Sequence, residues 1–248
     1  PFSDLLNVDT ATVKKVLTSW GPGRYDAELD KDGKAFRPDG KQAGTLIPPA
    51  FGLAGVNLAT WTGFGSFTYW NAYVGATQMH GSGTFFDPRF NDKQQYPVAA
   101  RSGSGNTRAK PDRITAQLAA LHFYQLAIPA PKPPEGSFDK VAGDRGKTIF
   151  EGKATCATCH VPPLFTEPGH NLHAPAEVCI DSFQADRSPT HAYRTAPLAG
   201  LWSHQKGGFF HDGRFAVLGD VIEHYNGCLR LGLNEQEKLD LIEYLKSL

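Results

Sequence analysis

The chain carries no excess of either charge: 25 Lys and Arg balance 25 Asp and Glu over 248 residues. Nucleic-acid binders draw their affinity from clustered cations set against phosphates, so no nucleic-acid partner is expected, and no polybasic patch marks a membrane surface. Long apolar runs are missing as well; none reaches the ~18 residues that a membrane span requires. Methionine occurs once, at Met79, and cysteine four times, at Cys156, Cys159, Cys179 and Cys228. There is no initiator Met and no signal peptide. The chain opens at Pro1, and a processed or trimmed start with sequence upstream is the expectation. Between Gln42 and Phe86 there is no charged residue at all, while the same stretch holds nine aromatics and eight glycines. It is too interrupted for a strand or a span. It reads either as irregular buried core or as a wall against a cofactor or a partner domain.

What is present points to a loop-rich globular protein of one or two domains. Glycine (26) and proline (18) together make about 18% of the residues against a typical ~12%. Pro129, Pro131, Pro133 and Pro134 fall within six positions, which favours extended geometry and excludes a helix interior. A linker is assigned to 129–137. Beyond it, Phe138, Val141, Arg145 and Ile149 follow helical spacing. Near the C-terminus, Asn234-Glu235-Gln236-Glu237 has the form of a capping box, followed by an apolar stripe of Leu239, Ile242, Leu245 and Leu248. A weak internal repeat links the halves at an offset of 145 positions. Leu53-Ala54-Gly55-Val56 matches Leu198-Ala199-Gly200-Leu201, and Met79-His80-Gly81 falls on His224-Tyr225-Asn226.

Cys156-Ala157-Thr158-Cys159-His160 is C-x-x-C-H, the attachment signature of c-type haem. Two thiols about one helical turn apart each add to a haem vinyl group, and the adjacent His reaches the iron as proximal ligand. A thioredoxin-like redox pair would require a βαβ context, which is not visible. A zinc site requires four ligands, and the spacing of the nearby His170, His173 and Cys179 matches no finger pattern. Cys179 and Cys228 remain, either as a disulfide closing a ~49-residue loop, which the oxidising compartment implied by haem attachment would allow, or as two buried thiols. Trp61, Trp70 and Trp202 read as core packing before electron relays.

Three runs then resemble the C-terminal haem domain of di-haem cytochrome c peroxidases and the related MauG enzymes: Gly146-Lys147-Thr148-Ile149-Phe150-Glu151-Gly152, Tyr193 through Trp202, and Phe209-Phe210-His211-Asp212-Gly213-Arg214-Phe215. The resemblance implies a mainly α, loop-rich fold. A cytochrome c-type haem domain (helix, C-x-x-C-H, long loops, C-terminal helix) would occupy 138–248, and a degenerate or truncated first cytochrome c-like half 1–128. It implies a bacterial periplasmic setting and one covalently attached haem c, on Cys156, Cys159 and His160. A second attachment motif would lie upstream. It also implies electron transfer coupled to peroxide reduction or substrate oxidation, with a small redox protein as electron donor; the alternative is a non-catalytic electron-transfer cytochrome. Counting 14 residues from His211 puts Tyr225 at the family's distal-ligand position, with His224 as its neighbour and alternative. His211 would assist protons, Arg214 would balance a haem propionate, and Met79 or His80 would serve a first haem. The carbonyls of Thr195 and Pro197 match positions that bind calcium.

Overall fold

The computed structural model describes residues 2–167, 169–204 and 207–248. Among the described residues helices dominate, with two small antiparallel two-stranded sheets. In chain order the helices are α1 (Phe2–Leu6), α2 (Thr10–Trp20), α3 (Leu29–Asp32), α4 (Phe67–Tyr73), α5 (Pro97–Ser102), α6 (Thr115–Ala127), α7 (Lys140–Glu151), α8 (Phe183–Asp186), α9 (Leu218–Cys228) and α10 (Glu235–Lys246). Strands β1 (Arg24–Tyr25) and β2 (Thr45–Leu46) pair with Arg24 opposite Leu46; β3 (Thr84–Phe86) and β4 (Asn106–Arg108) pair with Thr84 opposite Arg108. No described helix is long and apolar enough to cross a membrane.

The C-terminal half is built on the crossing of α7 and α10. Asp139 caps α7 by accepting from the Ala142 amide at 3.0 Å, and the capping box of Asn234 and Glu237 starts α10 as its sequence suggests. The buried faces differ from those read off the spacing. In α7 they are Ala142, Gly143, Gly146 and Phe150, while Val141 is 67% exposed. In α10 they are Asp240, Leu241, Tyr244 and Leu245, while Leu239 is 56% exposed. The reason is the closeness of the crossing. A Cβ on Gly146 would stand 2.0 Å from the Asp240 carbonyl oxygen, so small residues, not branched ones, must face α10. Arg145 then forks onto Asp240 at 2.8 and 2.6 Å. Phe150, Ile222, Leu241, Tyr244 and Leu245 form the core above this crossing.

The charge-free stretch supplies the core of the N-terminal half. Phe64, Tyr73, Phe85, Phe90 and Tyr96 are buried together, with Tyr69 and Trp70 packed against them in edge-on contacts. Ser66 caps α4, which runs on into a π-helical turn at Val74–Gln78. Lys31 is fully buried in this half, its Nζ 4.9 Å from the ring centres of both Trp70 and Tyr73.

The two halves are tied by buried polar contacts. Arg187 is 1% exposed and pairs with Asp26 at 3.0 Å and Asp32 at 2.6 Å. The proline-rich segment 129–137 is a seam and not a free tether. At its start the Ile128 carbonyl accepts from Gly52 at 2.9 Å, and within it the Pro131 carbonyl accepts from the Trp202 indole at 2.9 Å.

The internal repeat holds at its first site and fails at its second. Leu53–Val56 and Leu198–Leu201 make the same turn: each closes with a 3.0 Å bond from residue four to the carbonyl of residue one. In each, the third residue is a left-handed glycine, Gly55 (φ +84°) or Gly200 (φ +77°). Met79 and His80, however, are exposed beyond the π-helical turn, whereas His224 and Tyr225 lie inside α9. The better match is Phe85-Phe86-Asp87-Pro88-Arg89-Phe90 with Phe209-Phe210-His211-Asp212-Gly213-Arg214-Phe215. Arg89 Nε bonds Asp87 at 2.9 and 3.1 Å, and Arg214 Nε bonds Asp212 at the same two distances. The offset therefore changes along the chain, because α4 and its π-helical turn occupy the longer interval between these two features in the first half. A third match, Leu121…Tyr124 in α6 with Leu241…Tyr244 in α10, differs in burial. The α10 pair is 3% and 7% exposed, the α6 pair 42% and 65%.

Candidate haem site

Between the core of the C-terminal half and the edge of the N-terminal half lies a cavity of about 430 Å³, lined mainly by Leu, Ile, Val, Phe and Pro side chains. Both thiols of the C-x-x-C-H motif and His160 face it. Thr155 is left-handed (φ +52°), and Cys156–Thr158 form a 3-10 turn closed by the His160 amide on the Cys156 carbonyl at 2.9 Å. This turn brings Cys156, Cys159 and His160 to one wall. Burial pushes the Cys156 thiol up to about 11 and raises Cys159 as well. These are protonated, apolar-lodged thiols, unlike the low-pKa thiolates of a redox pair.

His160 is poised as a ligand. Its Nδ1 lies 3.0 Å from the Phe165 carbonyl oxygen. A carbonyl only accepts, so Nδ1 carries the proton and Nε2 keeps its lone pair. Burial lowers the imidazole further toward its neutral form. A second observation concerns charge. Arg194 lines the cavity, its Nε donates to the Thr60 carbonyl, and its buried Nη1 has no hydrogen-bond partner. Burial pulls its guanidinium down to about 10, which leaves it charged at neutral pH. A buried N–H of a charged group left without an acceptor is costly. A carboxylate-bearing cofactor in the cavity would relieve it, as the two propionates of haem can. The donor set, the apolar walls and this unpaired guanidinium all fit haem c.

The other expected residues divide. Tyr225 lines the cavity from α9, three and seven residues after Ile222 and Leu218 on the same face, and stacks on Phe210 with ring centres 5.7 Å apart. Burial drives its phenol up to about 12. His224 is not on the wall; its Nε2 donates to the Val178 carbonyl at 2.9 Å. His211 is on the wall, 3% exposed, and stacked on Tyr193 with ring centres 4.9 Å apart. Burial pushes it down to about 4, so it is neutral. Arg214 is not on the wall. Its guanidinium is bound by Asp212 and Asp181, whereas Arg194, to which the sequence assigns no role, is on the wall. Arg194 has no distinctive spacing in the sequence; only the Nη1 left without a partner singles it out.

Thr195 and Pro197 both line the cavity, and the Thr195 carbonyl accepts from Thr166 Oγ1 at 2.5 Å. Among the described residues, Cys159, Glu167 and His173 could also hold a metal. Both nitrogens of His173 are taken, by Glu167 at 2.5 Å and Glu177 at 2.9 Å. Cys179, the thiol of the zinc alternative, is disulfide-bonded to Cys228. Trp61 lies on the cavity wall, its indole donating to the Leu46 carbonyl at 2.8 Å. Trp70 is core and Trp202 belongs to the seam.

No protein-family model matches the chain. Two curated proteins do. Methylamine utilization protein MauG of Methylorubrum extorquens is 31% identical over 157 aligned residues, covering 52% of this chain and 43% of that protein. Cytochrome-c peroxidase IdrP1 of Denitromonas iodatirespirans is 25% identical over 233 aligned residues, covering 72% of this chain and 60% of that protein. The chain thus spans roughly half the length of the curated relatives it matches. Among solved structures, a MauG-like protein associated with microbial copper homeostasis shares the fold, with a TM-score of 0.50 at 18% identity over 86% of this chain and 76% of that one. The chain is therefore similar to MauG and to a cytochrome-c peroxidase, and the resemblance to the MauG-like di-haem peroxidase family has the support of both relatives.

Proposed function

We propose that the chain carries one c-type haem on Cys156 and Cys159, with His160 as proximal ligand, and couples electron transfer to peroxide reduction or haem-based oxidation of a substrate. The observation that carries this reading is the cavity. It gathers both thiols, a His with Nδ1 already committed to a carbonyl, and an unpaired buried guanidinium. Bound there, haem iron would supply the redox chemistry. The chain's own residues do the rest. Phe165 fixes the tautomer and orientation of His160. Arg194 offers its free Nη1 to a haem carboxylate. Tyr225 is the best-supported distal-side group, because it faces the cavity while His224 is held away from it. His211, kept neutral by burial, holds one exchangeable proton on the wall.

The reading extends to the N-terminal half as a second, divergent cytochrome c-like unit. The shared glycine turn and the matching Asp–Arg forks support it. The haem-attachment motif and the disulfide both favour an oxidising compartment, the bacterial periplasm, with a small redox protein as electron donor. Reduction of hydrogen peroxide to two waters consumes two electrons and two protons. The test is turnover by the haem-loaded chain with a reduced small cytochrome as donor. Donor oxidation that depends on peroxide, and that changes in Tyr225→Phe, supports peroxidase chemistry on this iron. Donor oxidation at equal rates with and without peroxide would favour the electron-carrier alternative.

A further inference from the structure

The segment from His173 to Asp181 forms a strap along the cavity, to which His173, Glu177, Val178 and Ile180 each contribute lining. At one end His173 exchanges backbone bonds with Tyr193 at 2.7 and 2.8 Å. At the other, Asp181 is held by Arg37 and Arg214. In its middle, two adjacent residues are fastened to α9. The Val178 carbonyl accepts from His224, and Cys179 is disulfide-bonded to Cys228. Cys179 is left-handed (φ +53°), a conformation that an L side chain adopts only when its surroundings impose it.

His224 and Cys228 are one helical turn apart on one face of α9. Leu218 and Ile222 seat α9 on the core, and two tethers one turn apart, onto consecutive strap residues, add a restraint on its roll from the strap side. Successive helical residues point about 100° apart, so a roll fixed at His224 also fixes the direction of Tyr225.

We propose that His224 and the Cys179–Cys228 disulfide are positioning residues: a two-point clasp that sets the roll of α9 and aims the Tyr225 phenol into the cavity. The clasp is static and needs no redox step. It rests on the reading of Tyr225 as the distal-side group, and its test separates the two.

Hydrogen–deuterium exchange and visible absorption are measured on the haem-loaded chain and on four variants: Cys179→Ala with Cys228→Ala, His224→Leu, His224→Gln and Tyr225→Phe. The clasp predicts about tenfold faster exchange or more in both 173–181 and 218–228 of the double-cysteine variant, the scale of one lost buried hydrogen bond or greater. Exchange in α7 and α10 stays unchanged. The absorption spectrum moves in the same direction as in Tyr225→Phe. His224→Leu reproduces part of the effect, and His224→Gln, which keeps an N–H donor for Val178, restores it. Faster exchange confined to the strap, with α9 as in the parent, overturns the proposal; so does His224→Gln behaving like His224→Leu. If the double variant does not fold, the Leu and Gln pair carries the same decision. If Tyr225→Phe leaves the parent spectrum unchanged, the distal-side reading fails, and the clasp stands or falls on α9 exchange alone.

Discussion

His173 is the residue whose charge the fold controls most visibly. Burial by itself would lower its pKa, but the hydrogen bonds it donates to Glu167 and Glu177 outweigh that and hold it above its ordinary 6.5. A folded-state pKa above the unfolded one stabilises the protein fully below about pH 6.5, and the benefit is lost as pH rises through the folded value. The thermal midpoint of the parent should therefore fall relative to His173→Gln as pH rises above about 6.5, to an extent set by this linkage. Parallel midpoints across that range would mean that His173 is not charged in the folded protein. The same spot shows what spacing hides. His173 stood in the sequence as a loop histidine with no role, because its partners lie six residues before and four after it in a segment without regular structure. C-x-x-C-H, in contrast, was legible at once, since its chemistry needs only neighbours along the chain.

At the scale of elements, the crossing of α7 and α10 makes a paired prediction. Gly146→Ala would push a methyl group to 2.0 Å from the Asp240 carbonyl. Overpacking of this kind costs about 1–3 kcal/mol, more than the ~1 kcal/mol that alanine gains over glycine in a helix. At Gly143 the nearest atoms to a new Cβ are 3.7 Å away, an ordinary contact, so Gly143→Ala should be neutral or stabilise by up to ~1 kcal/mol. Thermal melts of the two variants should shift in opposite senses, and equal losses would contradict the close crossing. Both helices and the α10 cap were readable from spacing and capping residues. Their buried faces were not. The rule that apolar positions face the core assigned Val141 and Leu239 inward, whereas the tightest contact belongs to a glycine, which leaves no hydrophobic signal.

For the whole molecule, the joint between the halves carries the account. Arg187 sits among Asp26 and Asp32 with almost no exposure. Its replacement by leucine strands two buried carboxylates and should cost about 3–5 kcal/mol, read by chemical denaturation. A loss under ~1 kcal/mol would show that the halves are held by other contacts. Two-part organisation is visible in the proline-rich segment and in the Leu-Ala-Gly turn, yet the joint itself is not, since Arg187 lies 155 positions from Asp32 and 161 from Asp26. The repeat was legible only where no insertion intervened. Past Gly55 a constant offset leads to Met79 and His80, while the pairs that share a geometry, Asp87 with Arg89 and Asp212 with Arg214, lie at a different offset. The cavity between the halves takes its walls from both, Leu46, Pro48, Pro49 and Trp61 from one and the remaining residues from the other, which is why no single stretch of sequence announces it.

The most direct test of the central claim is the intact mass of the chain matured under conditions that attach c-type haem, measured after denaturation. The account predicts a mass raised by one haem that survives unfolding, with the modified peptide containing both Cys156 and Cys159. A chain at its bare polypeptide mass, with both of those thiols open to alkylation, would contradict it.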